Sequence, residues 1–162
     1  MNRVDPSVRD WADALELTSA LRAGQRLPEL AVAQAGLEPG EPAHAWLEVR
    51  VYQQSGIKLA FASSDPTTHA AAQRWAEMDT GSVVVTPARL VVLGRFGAVS
   101  FWASRVRRHW LEHDGSALEY DGATFKFVTE RPVWFDVVVN AAMYRRVIDR
   151  ALPEYVRRGL GE

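Results

Sequence analysis

From residue 83 to residue 128 the chain is a succession of short apolar runs cut by turn-forming residues, a punctuation that restricts this stretch to a β meander. Residues 83–86, 90–93, 99–103, 106–112, 117–120 and 124–128 are each too short for a stable helix, and each is rich in β-branched or aromatic side chains. Turns are expected at Pro87, at 94–97, at Asp114-Gly115 and at Asp121-Gly122. Asp-Gly suits a two-residue hairpin because glycine tolerates positive φ. Upstream, Ala45, Leu47, Val49 and Val51 alternate with Trp46, Glu48, Arg50 and Tyr52. Ile57, Leu59 and Phe61 alternate in the same way with Lys58, Ala60 and Ala62, so two further half-buried strands are expected around Ser55-Gly56. Asp65-Pro66 ahead of the alanine-rich stretch 67–78 predicts a short helix, and 79–82 returns the chain to strand.

Helical patterning flanks this region. Asp5 and Pro6 form a cap-plus-proline start, and Val8, Trp11, Ala12, Leu15 and Thr18 fall on one face of a helix that Gly24 ends. A second short helix is expected over 28–35, with Gly36 as its stop, and the Pro- and Gly-containing stretch 37–42 reads as a linker. Arg131-Pro132 opens a long amphipathic helix to about residue 152, its stripe formed by Trp134, Val137, Val138, Ala141, Tyr144, Ile148 and Leu152. The expected architecture is therefore α+β. It is a partly open antiparallel β-barrel or strongly curled sheet capped by a C-terminal amphipathic helix, comprising residues 40–162, with an N-terminal helical arm over 1–36.

Charge is divided between these parts. Residues 1–50 carry five basic and eight acidic side chains and residues 51–162 carry fourteen and twelve, so the two parts attract each other within a total of −1. Such a balance gives no electrostatic footprint for nucleic acid. Only Lys58 and Lys126 are lysines against seventeen arginines, a bias that fits a high-GC bacterial genome. Zero cysteines exclude thiol catalysis, zinc fingers and disulfides, leaving His, Asp and Glu as the metal ligands. The charged start and the absence of a long apolar run predict a cytoplasmic protein.

The segment Gly81-Ser82-Val83-Val84-Val85-Thr86-Pro87-Ala88-Arg89-Leu90-Val91-Val92-Leu93 resembles the strand–turn–strand pattern of bacterial pleckstrin-homology-like and GRAM-like domains. Trp102, Val106 and Trp110 leading to Asp114-Gly115 resemble the strand pair that follows there, and the closing helix resembles the barrel plug of that group. The resemblance spans roughly 40–152 and implies a binding or scaffolding module without catalysis. Phosphoinositide-binding members carry a basic pattern in the first hairpin. Here Arg50 and Lys58 match its first two bases, but Ala60 stands in place of the final Arg. The resemblance therefore implies protein partners or self-association.

Several local patterns bear on chemistry. His109-Trp110-Leu111-Glu112-His113 spells H-x-x-E-H, whose use in metal hydrolysis requires a helix that brings both histidines to one face. Its position before an Asp-Gly turn predicts instead a strand bearing two surface histidines, so no metal and no cofactor are expected. Gly94-Arg95-Phe96-Gly97 matches the KH-type GXXG, but it lies between strands rather than helices, and the echo of an RNP1 strand beyond it has Ala98 in place of a stacking aromatic. Arg105, Arg107 and Arg108, together with Arg50 and Lys58, form the candidate anion or partner surface. A second cluster, Arg145, Arg146, Arg150, Arg157 and Arg158, reads first as a solvated face, as the other cluster also can, with an anion-binding patch for headgroups or an acidic partner as the functional reading of both. Val8, Trp11 and Leu15 must bury their stripe against this chain or in a homodimer. Trp46, Trp75, Trp102, Trp110 and Trp134 are expected to fill the core. The function read from these features is a non-enzymatic interaction module, with an anionic-lipid or other anion-binding surface as the first alternative and a metal-dependent hydrolase at 109–113 as the second.

Overall fold

The computed structural model describes residues 5–31, 36–56 and 73–161, without the side chains of residues 55, 56, 73 and 74. Seven strands form one antiparallel sheet: β1 (Ala45–Gly56), β2 (Gln73–Val85), β3 (Arg89–Gly94), β4 (Gly97–Trp102), β5 (Val106–Leu111), β6 (Gly115–Tyr120) and β7 (Ala123–Val128). Their order is β4-β3-β2-β1-β7-β6-β5. Two meanders thus share β1, which pairs with β2 along its length but with β7 only over residues 50–53. The edge strands β4 and β5 are consecutive in sequence and joined only by the 3₁₀ turn Ala103–Arg105, so the sheet has to curl into a half-barrel to bring them together. Phe101 of β4 closes the curl, meeting the rings of Tyr120, Phe125 and Phe127 edge-on at 5.1–5.2 Å.

The concave face packs on α2 (Pro132–Tyr144). Val83, Val85, Leu90, Leu118 and Phe127 from the sheet meet Phe135, Val138, Val139 and Ala142 from the helix. The opposite side of α2 is covered in turn by α1 (Pro6–Arg22) and α3 (Glu154–Leu160), where Trp11 and Ala14 pack on Val133, Val137 and Val156. A helix held between two layers buries nearly every side, which explains why α2 is apolar well beyond one stripe. Asp5 caps α1 by accepting the Ser7 N–H at 2.8 Å. Among the described residues, no helix is long and apolar enough to cross a membrane.

The segment 36–43 crosses the convex face of β2 and β3. Leu37 and Ala43 cover Val84 and Val91, Leu30 bridges Ala43, and Glu41 forms a two-pronged ion pair with Arg89, from Nε at 3.0 Å and Nη2 at 2.7 Å. Thr86 Oγ1 accepts the N–H of Ala88 and of Arg89 and donates to Glu41, so the Thr86-x-x-Arg89 spacing builds the β2–β3 turn and its clamp. Ion pairs join the acidic and basic parts here and at Asp13–Arg131.

Several expectations need correction. Residues 28–31 are irregular apart from the Leu30 bridge, so the second short helix does not start there; 32–35 lie outside the described residues. Ser55-Gly56 end β1 rather than forming a turn, and the strand expected over 57–62 lies outside the described residues, as does 67–72. Residues 73–78 of the expected alanine-rich helix are strand, drawn into β2 by pairing with β1. The closing helix ends at Tyr144, because Arg145 takes the left-handed conformation (φ 52°) and the N–H of Arg146 donates to Asn140 O at 3.2 Å. Residues 145–153 are irregular, and α3 is a separate helix. Asp121-Gly122 is the expected hairpin turn, with φ 49° and 81°. Gly115 instead opens β6, where a Cβ would meet Phe127 O at 2.1 Å; the turn closes one residue earlier, with Glu112 N donating to Gly115 O. Trp46 and Trp102 are exposed rather than in the core.

Candidate functional site

The strand β5 begins with a register break between Val106 and Arg108, leaving Arg107 as the extra residue of an edge bulge. Beyond it the alternation is regular. His109 pairs with Leu118 and shares its concave face, while Trp110 pairs with Ala117 on the convex side and donates its indole N–H to Glu112. The H-x-x-E-H reading therefore fails on geometry. Residues 109–111 are strand, His109 has a side chain only 2 % exposed against α2, and His113 stands 87 % exposed in the turn. The expectation of two surface histidines is wrong for His109, because the inward face of an edge strand is still an interior face once α2 lies on it.

Around His109 the C-terminal half of α2 builds a polar network. His109 Nε2 lies 3.6 Å from Asp136 Oδ1, and Asp136 Oδ2 accepts from Arg150 Nε at 3.0 Å and Nη2 at 2.6 Å. Asn140 Oδ1 accepts from Arg146 Nε at 2.8 Å, and the Arg146 guanidinium stacks over the Tyr144 ring at 5.0 Å. The rings of His109 and Tyr144 are 5.6 Å apart. His109 Nε2, Asp136 Oδ1 and the Tyr144 hydroxyl are sealed from solvent without a hydrogen-bond partner. Burial lowers the His109 pKa below the ordinary histidine value despite the opposing pull of Asp136, and burial pushes the Tyr144 hydroxyl up to about 12. Both groups are neutral near pH 7.

These residues form an open groove of about 340 Å³ between the β5 edge and the end of α2, lined by Val106, Arg107, Arg108, His109, Tyr144 and Arg146. Arg107 and Arg146 supply guanidinium groups, and His109 and Tyr144 form its wall with their polar atoms sealed behind it.

The candidate residues distribute unevenly around this groove. Arg107 and Arg108 reach it, although Arg108 also pairs with Glu119 at 3.3 Å and lies over Trp110. Arg105 is spent on Asp121 and stacks over Tyr120. Arg50 is exposed on β1, three strands from β5, beside Glu48 and Glu130, so it does not converge with the others. Lys58 lies outside the described residues. In the second cluster, Arg157 and Arg158 pair with Glu154 and Arg150 holds Asp136, as a structural role implies, but Arg146 belongs to the groove. Val8 and Trp11 are buried within this chain, Val8 against Gly159 of α3, while Leu15 is half-buried. The arm thus docks in cis, on helices rather than directly on the sheet.

The sequence names His109 only within H-x-x-E-H and Tyr144 only within an apolar stripe, and singles out neither Asp136 nor Asp10; the available signal was an ionisable residue inside an apolar stripe, as at Asp136. Glu112, His113 and Asp114 offer ligand atoms within 4.8 Å of one another at the β5–β6 turn. Glu112 is engaged by Trp110 and Asp114 by Lys126, so both carboxylates already have a partner within the chain. Comparison of the chain with family models, with curated proteins and with solved structures finds no match.

Proposed function

We propose that the chain is a non-enzymatic, cytoplasmic bacterial interaction module of pleckstrin-homology-like, GRAM-like type, and that its partner is a second copy of itself. The type is supported by the two meanders sharing β1, by the Thr86-x-x-Arg89-Leu90 turn between β2 and β3, and by the helix that follows the last strand filling the concave face.

The observation that carries self-association is the edge strand β4. Its sequence, Gly97 to Trp102, holds no charge and no proline, and Val99 and Trp102 are exposed beside Phe96, which is 83 % exposed in the adjoining turn. Monomeric proteins usually blunt such an edge with lysine, proline or a bulge. Pairing β4 with its own copy sets no like charges opposite one another, and a twofold, antiparallel contact is self-complementary. Tyr120 already takes the Trp102 N–H at 3.4 Å and reaches Ser100 O at 3.5 Å, so a partner pairs along the 97–99 half and packs on Phe96.

Light scattering across a concentration series tests this. The wild type is expected to dimerise, and Val99→Lys to be monomeric with an unchanged thermal midpoint. A wild type that stays monomeric up to about 100 μM, where a contact of functional strength is populated, overturns the reading.

A further inference from the structure

We infer that the groove between the β5 edge and the end of α2 is a binding site for a phosphate-type oxyanion, as presented by a phosphomonoester. Its charge sets it apart from the other principal grooves. It is lined by three arginines without a carboxylate, whereas the grooves around Arg50, Glu38, Asp10 and Asp149 each include an Asp or Glu. Arg107 has no ion-pair or hydrogen-bond partner among the described residues, and the bulge aims it away from the ladder.

Arg146 is held in advance of any ligand. Its Nε is fixed on Asn140 and its plane is stacked on Tyr144, so its two terminal nitrogens lack a carboxylate and lose little freedom on binding. Behind them the wall of the groove is made by the rings of His109 and Tyr144, 5.6 Å apart. Two guanidinium groups without carboxylate partners, on a lining that holds no carboxylate, define a site for an acceptor-rich anion. A groove of about 340 Å³, open on one side, admits a phosphate with its substituent directed outward.

The test is a ¹H–¹⁵N titration of the full chain with inorganic phosphate, using chloride at equal ionic strength as the control. Saturable shifts are expected at 106–109 and 144–146. Arg107→Ala, which removes an exposed side chain without partners, should weaken binding about tenfold with an unchanged thermal midpoint; Arg146→Gln should weaken binding similarly and also lower the midpoint, because it strands the buried Asn140 oxygen. Two further arms identify the source of the anion. Sedimentation with phosphatidic acid vesicles but not with phosphatidylcholine vesicles, lost in Arg107→Ala, assigns a lipid headgroup; saturable binding of phosphoserine without vesicle binding assigns a soluble phosphomonoester. Either result supports the site. No saturable shift with phosphate or phosphoserine and no vesicle binding, or binding that both variants leave intact, overturns it. Val99→Lys is expected to bind phosphate normally, so this site stands or falls separately from self-association.

Discussion

Asp10, in the second turn of α1, accepts the backbone N–H of Val133 at 2.8 Å and of Trp134 at 3.0 Å, and so caps the first turn of α2 from another helix. The N-cap position of α2 is Arg131, whose side chain makes no cap hydrogen bond. Burial raises the Asp10 pKa above the ordinary carboxylate value, while the two N–H groups and Arg131 pull it down. Asp10→Ala strands two buried donors and is expected to cost about 1–3 kcal/mol in urea unfolding. Asp10→Asn, which keeps an acceptor oxygen, recovers part of that loss. An unchanged midpoint in the alanine variant would show that the cap contributes nothing.

The docking of the arm makes a second prediction. Trp11 fills the space between α2 and α3, so Trp11→Ala should destabilise the chain by about 3–5 kcal/mol. Deleting residues 1–36 uncovers Val133, Val137 and Val156 together. The shortened chain should bind a hydrophobic dye and lose solubility; one that stays soluble, monomeric and as stable as the full chain contradicts the docking.

Acid should release the clamp on the convex face. The Arg89 guanidinium, with smaller help from the Glu38 N–H and the Thr86 hydroxyl, lowers the Glu41 pKa from 4.5 to about 2. A carboxylate depressed in the folded state stabilises above its unfolded value and loses that contribution as pH falls from about 4.5 to about 2. Stability measured against pH should decline across this window in the wild type, and Glu41→Gln should remove that part of the slope. At pH 7 the same variant leaves Arg89 without its counter-charge, at an expected cost of about 3 kcal/mol.

His109 makes the chain sensitive to pH in a higher window. Its folded pKa lies below the ordinary 6.5 because the ring is buried, so the unfolded chain takes up a proton before the folded one does. Stability should therefore fall as pH drops below about 6.5, with a slope of at most one proton. His109→Phe should flatten that segment; a slope unchanged by the substitution would assign it to other groups.

The strands between Arg89 and Val128 were legible because local turn chemistry and pairing partner lie within a few residues of each other, as at Asp121-Gly122. The N-terminal half of β2 was not, since its alanine content favours a helix and only pairing with β1 decides otherwise. Nothing local marks Arg145 as a left-handed terminus, while Ile148 and Leu152 continue the apolar period beyond the real end of α2. The candidate site was half visible. Arg107 and Arg108 stood out as charge, but Asp10, Asp136 and His109 take their roles from partners 14 to more than 120 residues away.

The contact between α1 and α2 also bears on the order in which the molecule can assemble. Asp10 is synthesised more than 120 residues before the N–H groups it caps, and the Val156 that covers Trp11 follows later still. Until then the apolar side of α1 has no native surface to meet, and the sheet lacks the helix that fills its concave side. Closure of such long-range contacts is slow compared with local hairpin formation. The nascent chain therefore passes through a stage with its strands written but its interior open, the interval in which it depends most on chaperones.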